Sequence, residues 1–275
     1  MEKTNELKFE SPSFFKRLKG MLGVDFYRLF HTPLFYIFLA IAAIIPAMVL
    51  GMTNIENPDG TSMQLYTNTW HVVAAIKPLY VVNDISEYAN MNMVYIFGGI
   101  MVSIFIGHDY KSGYVKQLFT THAKKQDYMM SKSVIGAFSM GCMCVTYLLG
   151  TIISGLLVQT SFDVNVGSLI IAFISKVIMS VGWASLYTFL NIIFRRYFGI
   201  SIASSFFFGT GILIIGAAAI LGNSSILNIF LYGSSVYACL SSSIVTLFVC
   251  LGVSLLWGVI YNLLGTYVLS KSDVY

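Results

Sequence analysis

Apolar residues come in long unbroken runs, with the polar residues clustered between them. A helix needs about 20 predominantly apolar residues to cross a bilayer. Runs of that kind lie at 34–52, 91–108, 133–158 and 167–194, the last interrupted only by Lys176. From 197 to 270 there is no Asp, Glu, Lys or Arg, a run of 74 residues and too long for one crossing. A polar break at 222–225, followed by Tyr232, Gly233, Ser234 and Ser235, divides it into spans at 199–221 and 243–269. The pattern therefore predicts an all-α polytopic membrane protein with six transmembrane helices in a single domain over 1–275. A membrane barrel is disfavoured, because its strands would show as alternating segments of about 10 residues. The stretch 226–240 is too short to cross and is expected either to re-enter the membrane or to form a loop.

Composition agrees: 57% of residues are hydrophobic, 10% are charged, and mean hydropathy is +0.78. Average soluble domains carry about 25% charged residues. A soluble globular domain, a disordered chain and a nucleic-acid-binding module are thereby excluded. Charge placement then orients the spans, since basic residues beside span ends mark the cytoplasmic side. Lys3, Lys8, Lys16, Arg17, Lys19 and Arg28 precede the first span, and Lys111, Lys116, Lys124, Lys125 and Lys132 follow the second. Arg195, Arg196 and Lys271 complete fourteen of the sixteen basic residues on one side of a six-span arrangement. Both flanks of the bundle are thus expected inside (N-in, C-in). The first apolar run, starting at 34, is expected to be kept as a span and not removed as a signal.

Two polar-side elements are predicted not to span. Over 14–30, Phe14, Leu18, Leu22, Phe26 and Phe30 recur every fourth residue, with Phe15, Met21 and Leu29 beside them and Arg17 among the basic residues at other angles. This is an amphipathic helix expected to lie along the inner leaflet, as an anchor alone or also as part of a partner surface. Pro33 ends it. In the connection 109–132, Tyr114, Val115, Leu118 and Phe119 follow Gly113 as an apolar stripe of about two helical turns. Such a helix either lies in the interface or inserts into a groove of a soluble partner.

This connection resembles that of permease subunits of ABC-2 type transporters. In that family an acidic-aromatic-x-x-Gly-Thr turn follows span 2, then a short coupling helix, then a basic residue and a Lys that opens span 3. Asp109-Tyr110-Lys111-Ser112-Gly113 matches the turn, Lys125 stands near the basic residue, and Lys132 matches the Lys. Asp109 replaces the commoner Glu, and Tyr114 the commoner Thr. The resemblance covers these 24 residues and the whole-chain layout.

It implies a bacterial plasma-membrane subunit that pairs with a second copy or a homologous permease above two ABC ATPase subunits. Asp109, Gly113, Lys116, Gln117, Leu118 and Phe119 would then touch the ATPase. Phe14, Phe15, Arg17, Leu18 and Leu22 would form the interfacial helix. ATP and magnesium would bind the ATPase and no cofactor this chain, which has no Gly-Lys dipeptide and so no phosphate-binding P-loop. Small permeases of this kind resemble exporters that give self-immunity to lantibiotic-type antimicrobial peptides, which implies a hydrophobic or amphipathic substrate.

Some residues inside the runs remain open. Lys176 lies about 15 Å into its span, where a charge is costly, and reads as a snorkelling or structurally paired group, or else as part of a substrate path or dimer interface. Ser201, Ser205 and Gly209 form a small-x-x-x-small stripe, suited to packing within the chain or to a homodimer seam. Gln159 and Asn191 are expected near headgroups. The outer loop 53–90 is long enough for a small cap. Against a stand-alone secondary transporter or channel, no inverted repeat or acidic relay is visible. Against a lipid-modifying enzyme, no carboxylates and histidines cluster at one face, and the His-Glu-x-x-His pattern is absent.

Overall fold

The computed structural model describes residues 13–56, 62–64, 69–70, 92–120, 123–195, 197–211, 220, 228–240 and 243–271. The described chain is mostly helical, with one short antiparallel strand pairing. In chain order its elements are α1 (Phe14–Phe30), α2 (Pro33–Thr53), β1 (Asn54–Glu56), β2 (Ser62–Gln64), α3 (Met93–Lys111), α4 (Tyr114–Thr120), α5 (Lys125–Val158), α6 (Val166–Ile193), α7 (Phe198–Gly209), α8 (Leu231–Leu240) and α9 (Ile244–Lys271). Among the described residues five helices are long and apolar enough to cross a membrane: α2, α3, α5, α6 and α9. The sixth expected span, 199–221, is described continuously only to Gly211. Within it α7 has 12 residues and a length of about 18 Å, and beyond Gly211 the rest of the expected span lies outside the described residues apart from Ile220. Most of the 53–90 loop also lies outside the described residues. What is seen of it is β1 paired with β2, and Thr69, whose hydroxyl bonds Thr160 at 2.7 Å beyond the end of α5.

Two helices are longer at their charged ends than their apolar runs. α3 continues to Lys111, and α5 begins at Lys125. At 34 residues α5 is about 51 Å long, against about 30 Å of hydrocarbon, so part of it projects beyond the apolar layer. The connection expected over 109–132 thus shrinks to α4 and its flanking turns.

α6 is the central element, packed against α3, α5, α8 and α9. Tyr95, Trp183 and Tyr187 stack along it with centroids 5.6 and 5.5 Å apart. The Trp183 indole N–H donates to Ser235 Oγ at 3.0 Å, so this large buried ring leaves no donor unpaired. α2 packs closely along α5: a Cβ on Gly150 would collide with the Ala43 backbone, so only glycine allows that approach. The stretch 226–240 contains α8, a ten-residue helix buried against α6 and α9.

α1 covers the residues its four-residue step predicts but does not lie apart from the bundle. Its contacts follow α5 in order: Arg17 meets Asp127, Asp25 meets Ser131 and Lys132, and Phe26 and Phe30 meet Phe138. A helix lying across the bundle would touch α5 at a single crossing. α1 instead runs beside its first third.

Candidate functional site

Where α1, α3 and α5 converge, three buried charges, Asp25, Asp109 and Lys132, meet a fourth, Arg28, that is half-buried. On α1, Asp25 sits between Leu22 and Leu29 on the helix face turned toward α5, because residues three and four apart share a face. The last turn of α3 supplies Asp109, and the first two turns of α5 supply Tyr128, Ser131 and Lys132. Asp25 and Asp109 are both 0% exposed and Lys132 is 1%.

Lys132 Nζ bridges the two carboxylates, 2.6 Å from Asp25 Oδ1 and 2.7 Å from Asp109 Oδ2. Arg28 closes the ring from the other side, donating to Asp109 Oδ1 and standing 3.5 Å from Asp25. Ser131 Oγ donates to Asp25 at 2.6 Å, and the Tyr128 hydroxyl to Asp109 at 3.3 Å.

Two acids balance two bases. Such a cluster tolerates burial only because each carboxylate is both paired and hydrogen-bonded. Aromatic faces complete its shell: the Arg28 guanidinium lies 4.4 Å from the Tyr114 ring centre, and Lys132 Nζ lies 4.8 Å from Phe105. Burial of the Arg28 guanidinium works against its charge. The hydrogen bond to Asp109, with the fields of Asp109 and Asp25, outweighs that burial and raises its pKa. Burial likewise pushes the Tyr114 hydroxyl up, with Asp25 and Asp109 adding to the effect and Arg28 opposing it. A second staple, Arg17 Nε to Asp127 Oδ2 at 2.7 Å, fixes the start of α1 to the start of α5.

The turn between α3 and α4 passes directly over this cluster. Gly113 adopts φ +75°, a left-handed conformation that favours glycine, and so lets α4 start in a new direction. α4 then lays its apolar stripe back on the bundle. Val115 is buried, and Leu118 and Phe119 are half-buried against a group including Tyr128, Met129, Ile192 and Leu269. The Phe119 and Tyr128 rings meet edge to face at 5.7 Å. Lys116, Gln117 and Thr120 form the exposed side.

These placements change the role of several expected contact residues. Asp109 is inside and cannot touch a partner in this conformation. Leu118 and Phe119 face the chain's own body, because the apolar stripe finds apolar cover there. Lys116 and Gln117 face outward. On α1, Phe15 is 79% exposed, Phe14, Leu18 and Leu22 are half-buried, and Arg17 is held by Asp127.

Deeper in the bundle the polar residues bond to one another. Lys176 Nζ donates to Asn92 Oδ1 and, at 2.8 Å, to the Ser235 carbonyl, joining α6 to α8 and to the start of α3. Asn191 is 2% exposed and does not reach headgroups. It donates to Ser103 Oγ at 3.0 Å and to the Tyr187 carbonyl at 2.7 Å, and accepts from Ser201. Ser103 and Ser205 hydroxyls lie 2.8 Å apart, and a Cβ on Gly209 would press on Tyr187 and Ile96. The Ser201, Ser205 and Gly209 stripe therefore lies inside one chain, against α3 and α6, and is not free to form a seam between copies.

Asp25 and Asp127 were absent from the sequence-based candidates. The signal for Asp25 is its angle: it stands seven residues from Leu18 and three or four from Leu22 and Leu29, an acid on the apolar face. Arg28 and Lys132 counted there only toward orientation and motif. Among the described residues no three His, Cys, Asp or Glu side chains are placed to hold a metal ion. Neither a protein-family model nor a curated protein sequence matches the chain.

Proposed function

We propose that the chain is the membrane-spanning permease subunit of an ATP-driven ABC exporter. It has six spans with both flanks inside, and a separate ATPase carries ATP and magnesium. One observation carries the reading: α4 is bolted to the bundle by its apolar side and offers a polar side outward, directly over the buried charge cluster. A push on Lys116 and Gln117 would reach α3 through the Gly113 turn. The cluster would pass it to α1 and α5. Coupling of this kind requires an element with two arrangements whose balance the partner shifts. Two ATPase subunits beneath a pair of permeases would supply that bias. The basic residues gathered at this end also agree with a cytoplasmic placement. A hydrophobic or amphipathic substrate, such as an antimicrobial peptide, fits a bundle with few polar groups facing outward.

The test is to look for an ABC ATPase gene beside this one and, with the two co-expressed, to measure ATP-dependent export or resistance. Replacing Lys116 with Glu and Gln117 with Ala is expected to uncouple ATP turnover from transport while the protein still folds. Unchanged coupling, or transport by the chain alone along an ion gradient, would refute the proposal.

A further inference from the structure

A groove of about 610 Å³ runs along the outside of the bundle between α5, α6 and α9, with Phe26 of α1 on its rim. That volume lies within the range of about 300–1,000 Å³ typical of small-molecule sites. Small residues form the floor (Ser133, Ala137, Ser180 and Gly258), and Met130, Phe138, Leu255 and Leu263 form the walls. The two ends differ. Ser133 adjoins Lys132, so the end with Ser133 and Asn262 lies at the depth of the ion cluster. Phe138, Val177 and Leu255 lie further into the apolar layer.

The polar end is specific in its chemistry. Ser133 donates to Asn262 Oδ1 at 3.0 Å. Asn262 Nδ2 donates to Ser185 Oγ at 2.9 Å and to the Gly258 carbonyl at 2.8 Å. Ser185, Ser180 and Thr266 each donate to a backbone carbonyl. Every donor on the floor is thus committed within the chain. Lone pairs remain on Ser133 Oγ and Asn262 Oδ1, because each oxygen accepts more than one hydrogen bond. Gln126, exposed on α5 seven residues before Ser133, lies at the outer mouth of the groove. The Ser133–Asn262 pair further in offers lone pairs alone, and so favours a ligand with a donor at the junction of its head and its tail. In an apolar setting an N–H without a partner is costly. A packed helix suits the groove less well, since its walls are large side chains and membrane helices approach through small ones.

We infer that this groove binds a single-chain amphiphile whose acyl chain lies along α5 and α9 and whose amide or hydroxyl donor meets Asn262 and Ser133. The site needs no ATPase, so it stands or falls apart from the transporter reading.

The test uses the purified full chain in phosphatidylcholine nanodiscs, a lipid without an N–H or O–H donor. Two photoreactive probes are compared: N-palmitoyl-glycine methyl ester with a diazirine in its acyl chain, and the N-palmitoyl-sarcosine analogue, in which an N-methyl group replaces the amide N–H. Cross-links are expected in α5, α6 and α9, about three- to tenfold stronger for the glycine probe, as one hydrogen bond would give. Ala137→Phe, or Val259→Trp on the wall should the first variant fail to fold, is expected to remove these cross-links and leave others unchanged. Asn262→Ala should bring the two probes close to equal. Equal labelling of the native protein by both probes, or labelling indifferent to the filled groove, would overturn the site. So would efficient disulfide cross-linking of Val134→Cys between two copies, which would place a second chain in the groove.

Discussion

Two of the buried polar clusters among the described residues are built on different physics. At one end Asp25, Arg28, Asp109 and Lys132 join α1, α3 and α5 through full charges. Deeper in the bundle Ser103, Asn191, Ser201 and Ser205 join α3, α6 and α7 through neutral groups. The neutral cluster satisfies the rule that a buried polar atom needs a partner; in the charged one Arg28 Nη1 has only the field of Asp25, 3.5 Å away, and no hydrogen bond among the described residues. They differ in how they fail. Removing one neutral member leaves a hydroxyl or amide that can find a backbone carbonyl. Removing one charge leaves the others short of a counter-ion where Asp25, Asp109 and Lys132 are closed to water and Arg28 alone of the four reaches the surface. The charged cluster therefore acts as a lock with few intermediate states, and the neutral one as adjustable packing. In the proposed transporter, that difference would suit the charged end to pass on a push from the partner.

The sharpest way to break the comparison is Lys132→Met. Asp25 and Asp109 would then share Arg28 alone, and the loss is expected to be about 3–5 kcal/mol, read as a large fall in melting temperature in detergent. Adding Asp25→Asn should return part of it, with a coupling above about 1 kcal/mol in the double-mutant cycle. Asn191→Leu is expected to cost less, about 1–2 kcal/mol, since hydrogen bonds between membrane helices are individually modest. A loss at Asn191 as large as that at Lys132 would erase the distinction. The smallest stability effect belongs to Lys116→Ala with Gln117→Ala, expected within about 0.5 kcal/mol of the native protein because both side chains are exposed. A larger shift would mean that the outer side of α4 also holds the fold.

Much of this frame is legible in the sequence, and for a clear reason. Run length against bilayer thickness places α2, α3, α5, α6 and α9, and the four-residue step of Phe14, Leu18, Leu22, Phe26 and Phe30 places α1. What a stripe touches is less legible. Val115, Leu118 and Phe119 show that α4 has an apolar side, but the same pattern serves a partner's groove or the chain's own Tyr128 and Met129. Only the direction taken at Gly113 decides between them. The charge cluster was hidden because its members lie in three segments, 84 residues apart in the case of Asp25 and Asp109. Lys132 and Arg28 counted toward orientation like any other basic residue. A search for acids on apolar helix faces would have found Asp25, and it would have left Asp127, in the first turn of α5, unmarked.

The central claim is that the buried charges make α1, the α3–α4 turn and α5 one unit. Amide hydrogen exchange over α1, with the full chain in nanodiscs, tests it most directly. Residues 20–30 are expected to be protected in the native protein and to exchange about a hundredfold faster in Asp25→Asn or in Lys132→Met. Protection should partly return when the two substitutions are combined. Exchange over α1 that is fast in the native protein, or indifferent to all three variants, would show that α1 stands apart from the bundle and would contradict the account.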